Sequence, residues 1–254
     1  MKTILPLSLI LSVLPVAATP APVQPQTARS FALSGFDRIS LEGCDNAVVT
    51  VGNAFSVRAV GQSISLEVIR AEVRQQKLII TRPNRMCDSR AKRPGATIEI
   101  TVPRLRGVES EGTGSIRLHP FEAAEFEAEM SGTGNLTMEG LRGRKAGVAM
   151  AGTGNAQMQD IRVTTLALDA NGTGSIRGAG AVDALSIDSS GTGDVDTTAM
   201  TTRMLSVDAS GTGGVRAQAN GPAAIDASGM TRVVVGGRPQ CTVDKSGFAR
   251  VTCG

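Results

Sequence analysis

Five acidic residues recur at one fixed place in the chain. Glu129, Asp169, Asp188, Asp208 and Asp226 each stand three residues before a glycine that opens a Gly-Thr-Gly triplet or its degenerate last copy, Gly229-Met230-Thr231. If the chain coils with that period, the carboxylates become neighbours about 5 Å apart. Like charges that close repel, and a hard cation such as Ca²⁺ relieves the repulsion through oxygen ligands. Asp169, Asp188, Asp208 and Asp226 are therefore the candidate metal ligands, with Ca²⁺ as the one cofactor the sequence suggests. A solvated acidic stripe explains the column without any ligand, and it is the simpler reading because water screens exposed charge. Calcium corners of the nonapeptide kind would need acids after the triplet, and only Gly191-Thr192-Gly193-Asp194-Val195-Asp196 has them.

Basic residues form two groups. Arg117, Arg177 and Arg216 stand five residues after the corner glycine, interrupted by Thr137, Gln157 and Asp196. Arg82, Arg85, Arg90, Lys92 and Arg93 are denser and fall in the polar, turn-rich stretch 82–95, which reads as an exposed loop. That cluster is the candidate binding patch for an anionic glycan or surface. The overall balance, 26 Lys and Arg against 23 Asp and Glu, does not suggest a nucleic-acid partner. Hydrolytic chemistry finds little footing: His119 is the sole histidine, and no Gly-x-Ser-x-Gly elbow exists. No catalytic residue is assigned.

The four cysteines, Cys44, Cys87, Cys241 and Cys253, favour two disulfides in an exported chain, among three possible pairings. Cys241 and Cys253 bracket an expected hairpin around Lys245-Ser246-Gly247, which would leave Cys44 and Cys87 to join across the N-terminal segment. Zinc is the competing reading, weakened by the absence of a Cys-x-x-Cys pair.

What must position these groups is the repeat itself. Gly-Thr-Gly begins at Gly112, Gly132, Gly152, Gly172, Gly191 and Gly211, at intervals of 20, 20, 20, 19 and 20 residues. Such spacing reads as one turn of a stacked chain per copy. Counting from the corner, Val108, Ala128, Val148, Leu168, Ile187, Val207 and Ile225 form one apolar column; Ile116, Leu136, Ala156, Ile176, Val195, Val215 and Val233 form another. Each coil thus has two short strands joined by a tight corner on one side and a looser turn on the other. Seven coils about 4.8 Å apart make a section roughly 30 Å long. With no Trp or Tyr, six Phe and 30 Gly, the interior must be slim and aliphatic. Glycine at the corner meets a need for positive φ or for close approach of backbone.

The corners Ser131-Gly132-Thr133-Gly134-Asn135 and Ser190-Gly191-Thr192-Gly193-Asp194, with the opening Gly35-Phe36-Asp37-Arg38-Ile39, resemble those of the head GIN domain (DUF2807) proteins of the bacterial envelope, described as autotransporter adhesins. The resemblance spans residues 35 to 236. It implies a β-helix-like superhelix of two sheets, no established catalytic residues and an adhesive role.

The expected protein is all-β: a single-stranded, right-handed β-helix-like solenoid. Its expected divisions are a signal peptide (1–18), a flexible leader (19–30), a β-rich N-terminal section (31–104), the repeat solenoid (105–235) and a C-terminal capping hairpin closed by a disulfide (236–254). The apolar run Ile4 to Val16 with small residues at Val16-Ala17-Ala18 carries the export reading, to the periplasm or cell surface. The function expected is non-enzymatic adhesion or scaffolding, with an envelope glycan or surface protein as partner and homo-oligomers possible through the end coils. The alternative is Ca²⁺-dependent binding or lyase-type cleavage of acidic polysaccharide.

Overall fold

The computed structural model describes residues 27–82 and 95–254, so the expected signal peptide lies outside the described residues, as do Arg85, Cys87, Arg90, Lys92 and Arg93. The molecule is a β-solenoid whose Gly-Thr-Gly corners stack in one line. At each corner the threonine amide donates to the first glycine's carbonyl one coil earlier: Thr133 to Gly112 at 2.9 Å, Thr153 to Gly132 at 3.1 Å, Thr173 to Gly152 at 3.1 Å and Thr192 to Gly172 at 3.1 Å. A Cβ added to Gly132, Gly152, Gly172 or Gly191 would overlap that same carbonyl oxygen. Of the six triplet-opening glycines only Gly211 has a positive φ, 99°. Close approach, and not backbone handedness, is therefore why glycine recurs.

The stack extends past the triplets at both ends. Thr113 donates to Gly43 at 2.7 Å, Met230 to Gly211 at 2.9 Å and Phe248 to Gly229 at 2.8 Å. Parallel pairing follows the repeat's own step of 20 or 19 residues, for example Phe126↔Ala146, Ala146↔Leu166 and Leu166↔Leu185. Both expected apolar columns are buried along their whole length. The return from one coil to the next, expected as a looser turn, is itself β-paired: Phe121–Ala123 lies beside Leu141–Gly143, which lies in turn beside Ile161–Val163. Pairing skips Ala124, Arg144 and Thr164, where the chain bends, so Phe121, Leu141 and Ile161 add a third buried column.

The N-terminal section is threaded out of sequence order. Strands Arg38–Glu42 and Asn46–Val51 flank Gly43 and lie parallel to Gly107–Ser110 and Ile116–Leu118. On their other side lie Lys77–Thr81 and Thr97–Val102, also parallel. Antiparallel strands then end the stack: Ser56–Gly61 on Thr97–Val102, Thr27–Phe31 on Ser56–Gly61, and Arg70–Arg74 on Lys77–Thr81, with the short helix Ser63–Leu66 alongside. Residues 27–30 correct the expectation of a leader running to 30. They are held because Arg29 donates to the carbonyls of Leu66 (2.9 Å) and Ile69 (3.1 Å) and lies over the Phe31 ring.

The C-terminal end also differs from expectation. Gln240–Lys245 and Arg250–Cys253 do not pair with each other as a hairpin; they pair in parallel with Pro222–Ala227 and Arg232–Gly237, forming one more coil. The Cys241–Cys253 disulfide joins the two inward columns of this coil, above Ala223 and Val235. Val243 and Phe248 stay exposed there, at 42% and 83%. Lys245 takes the inward register position above Ala227, where a charge opposes further stacking.

The corner geometry sets a test. Gly152→Ala should cost at least about 3 kcal/mol in denaturant unfolding, through backbone overlap and a lost hydrogen bond. Gly147→Ala, whose new methyl would meet only Glu127 Cγ at 3.8 Å, should stay within about 1 kcal/mol of wild type.

Candidate functional site

The acidic column exists in space and is longer than the sequence count. Register aligns Asp169↔Asp188, Asp188↔Asp208, Asp208↔Asp226 and Asp226↔Asp244, one carboxylate per coil on the outer face. Glu129 stands beside Glu109 and is separated from Asp169 by Ala149. Glu109 and Asp244 are the members that the sequence pattern did not reveal, although both obey the three-before-glycine rule at Gly112 and Gly247. At the gap, a shallow groove of about 270 Å³ is lined by Glu125, Glu127, Glu129, Lys145, Ala149 and Asp169 among others. Gly147, which has no side chain, and the methyl groups of Ala149 and Ala167 leave it open.

Asp169 is half-buried at the edge of this groove, and burial first, with Asp188 second, raises its pKa above the ordinary 3.8. The carboxylates form a line and not a cage: among the described residues, no three His, Cys, Asp or Glu converge to hold a metal ion.

The arginine column is largely neutralised. Arg117 donates to Glu139 at 2.6 Å and Arg216 to Asp196 at 3.3 Å. Arg177 is exposed and, among the described residues, has no carboxylate partner. His119, expected alone, meets Glu139 from the next coil, Nδ1 to Oε2 at 2.8 Å. Hydrogen bonds from Arg117 first and His119 second hold the Glu139 carboxyl below its usual range.

Of the expected basic loop patch, only Arg82 is described, and it is not available to a ligand. Its guanidinium is fully buried on Asp45, with Nε donating to Oδ2 at 2.7 Å. Asp45 Oδ1 also accepts from the Ala96 amide at 2.7 Å, so one carboxylate fixes the chain on either side of residues 83–94. A charge that reads as solvated in a polar run is here a buried tie, because its partner lies 37 positions away. Cys44, in the corner position below Thr113, is disulfide-bonded.

The profile described as "Putative auto-transporter adhesin, head GIN domain" (DUF2807) matches residues 35–239. The chain belongs to the head GIN domain family. No curated protein matches it. Among solved structures, a "putative lipid binding protein" from Parabacteroides distasonis ATCC 8503 is similar, with TM-score 0.78, 20% identity and coverage of 89% of this chain and 95% of that one. A "putative adhesin" from Bacteroides fragilis NCTC 9343 has TM-score 0.61, 17% identity and coverage of 91% and 97%. Another "putative adhesin" from P. distasonis has TM-score 0.74, 14% identity and coverage of 90% and 97%. At these identities the likeness establishes a shared fold. Among the described residues, no helix of this head GIN domain chain is long and apolar enough to cross a membrane.

A raised carboxyl pKa means that the folded state binds the proton more tightly than the unfolded chain, so ionisation destabilises. That penalty is absent below the ordinary 3.8 and complete once pH passes the raised folded value. Asp169→Asn should therefore be more stable than wild type at neutral pH in denaturant titrations, and the advantage should vanish below 3.8.

Proposed function

We propose that this protein is a non-enzymatic, exported component of the cell envelope that adheres or scaffolds through its repetitive outer faces. The observation that carries the reading is the unbroken coil-to-coil register of Asp169, Asp188, Asp208, Asp226 and Asp244, which gives one face the same chemistry over five successive coils. A periodic, rigid face binds an extended or repeating partner through many weak contacts, each too small to matter alone. Carboxylates spaced one per coil suit a partner bearing repeated cationic or hydroxyl groups, such as an envelope glycan or a surface protein. The family description supports the same reading.

Cells displaying the full chain should be retained on a glycan-coated or protein-coated surface more than cells without it. Reversing Asp188 and Asp208 to Lys should cut that retention several-fold, while leaving the thermal unfolding midpoint within a few degrees. Retention that is unaltered by the charge reversal, in a folded variant, would remove the acidic face from the mechanism.

A further inference from the structure

At the N-terminal end of the rod lies a second charged feature, of opposite sign and with a concave shape. Register places Lys77, Arg38 and Gly107 in one outward column on successive layers. Beside Arg38 and Lys77 the surface forms an open groove of about 670 Å³. Its lining includes Asp37, Arg38, Arg74, Gln76, Lys77 and Arg106.

The charges in and around it do not cancel. Arg74 pairs with Glu72 at 2.8 Å, Lys77 with Glu109 at 2.7 Å, and Arg104 with Asp37 at 3.1 Å. Arg38 and Arg106 are exposed, and among the described residues neither has a carboxylate within ion-pair distance. Two guanidinium groups are thus left facing one groove with their donors unclaimed.

The backbone beneath them is held firmly. The Arg106 amide donates to the Asp37 carbonyl at 2.7 Å, and the Arg106 carbonyl accepts from Glu127 at 3.1 Å. Gln75 and Gln76, the two turn residues between Arg74 and Lys77, both have left-handed φ, 49° and 62°. Turns of this kind normally take Asn or Gly. The Gln76 carbonyl accepts from the amides of Asp37 (2.9 Å) and Arg38 (3.2 Å), which ties the strained turn to the strand carrying Arg38. Strain at a non-glycine turn persists where the surroundings fix it, and here it sets Arg74 and Lys77 at the rim of the groove.

We propose that this groove binds a phosphate-class oxyanion, with Arg38 and Arg106 as its principal ligands and Lys77 and Arg74 at the rim. Guanidinium groups offer paired N–H donors matched to tetrahedral oxyanions, and the planar fork of each loses less freedom per hydrogen bond formed than a flexible ammonium would. The oxyanion can belong to a free phosphate or to a phospholipid headgroup at a membrane surface. The proposal goes beyond the adhesive reading and does not depend on it, since that reading is tested at Asp188 and Asp208.

The test titrates the folded full chain, isotope-labelled, with inorganic phosphate by NMR, and in parallel sediments it with phosphatidylglycerol vesicles. Amide shifts at Arg38, Gln76 and Arg106 with phosphate alone identify a site for the free anion. Sedimentation with vesicles in the absence of such shifts identifies a headgroup at a surface. In either case Arg38→Ala and Arg106→Ala should each weaken binding about tenfold, while Arg177→Ala, an exposed arginine on another face, should leave it unchanged. Unaltered thermal midpoints confirm that the variants fold. Binding of neither probe, binding that survives the double replacement, or an equal loss with Arg177→Ala would overturn the proposal.

Discussion

The architecture depends on one short hydrogen bond repeated at every corner, from the amide of the residue after a glycine to that glycine's counterpart one coil below. The bond brings the stacked backbones so close that no Cβ fits between them, which is why the sequence keeps glycine there through every triplet. Once the corners are pinned in line, the strands leaving them cannot slip by a residue without exposing an entire apolar column. Inward columns of Val, Ile, Leu and Ala follow, and so do the outward columns of like charge.

A stack of this kind has two ends, and the chain closes them differently. At the N-terminal end, antiparallel strands and a short helix cover the outermost parallel layer and bury Leu66 and Ile69 against it. At the C-terminal end, the Cys241–Cys253 disulfide joins the two sides of the terminal coil, and Lys245 stands in a register position that is apolar one coil below. A crosslink and an edge charge thus limit fraying and further stacking at this coil. The acidic face runs toward this end, while the basic groove sits at the other, so the two charged features are separated along the rod.

The repeat was legible because its signal is local: glycine spacing and side-chain alternation state the step, the corner and the two strand columns without long-range knowledge. The terminal coil reads as a hairpin in sequence because alternation at Val243 and Val251 is identical whether those strands pair with each other or with the coil below. Asp244 does not show in the acidic column for a related reason, since the corner at Gly247 has lost its triplet. Arg82 lies in a polar run that reads as an exposed loop, and nothing in the sequence links it to Asp45. Arg38 and Arg106 are brought to one groove by out-of-order threading of the first layers, which periodicity does not encode.

The corner amides are structural bonds and not exposed turn groups. Native-state hydrogen exchange at Thr133, Thr153, Thr173, Thr192 and Thr212 reads this bond by bond. These amides should exchange slowly, in step with the buried strand residues that flank them. Exchange at the rate of an open surface loop would show that the stacked corners do not hold the fold together.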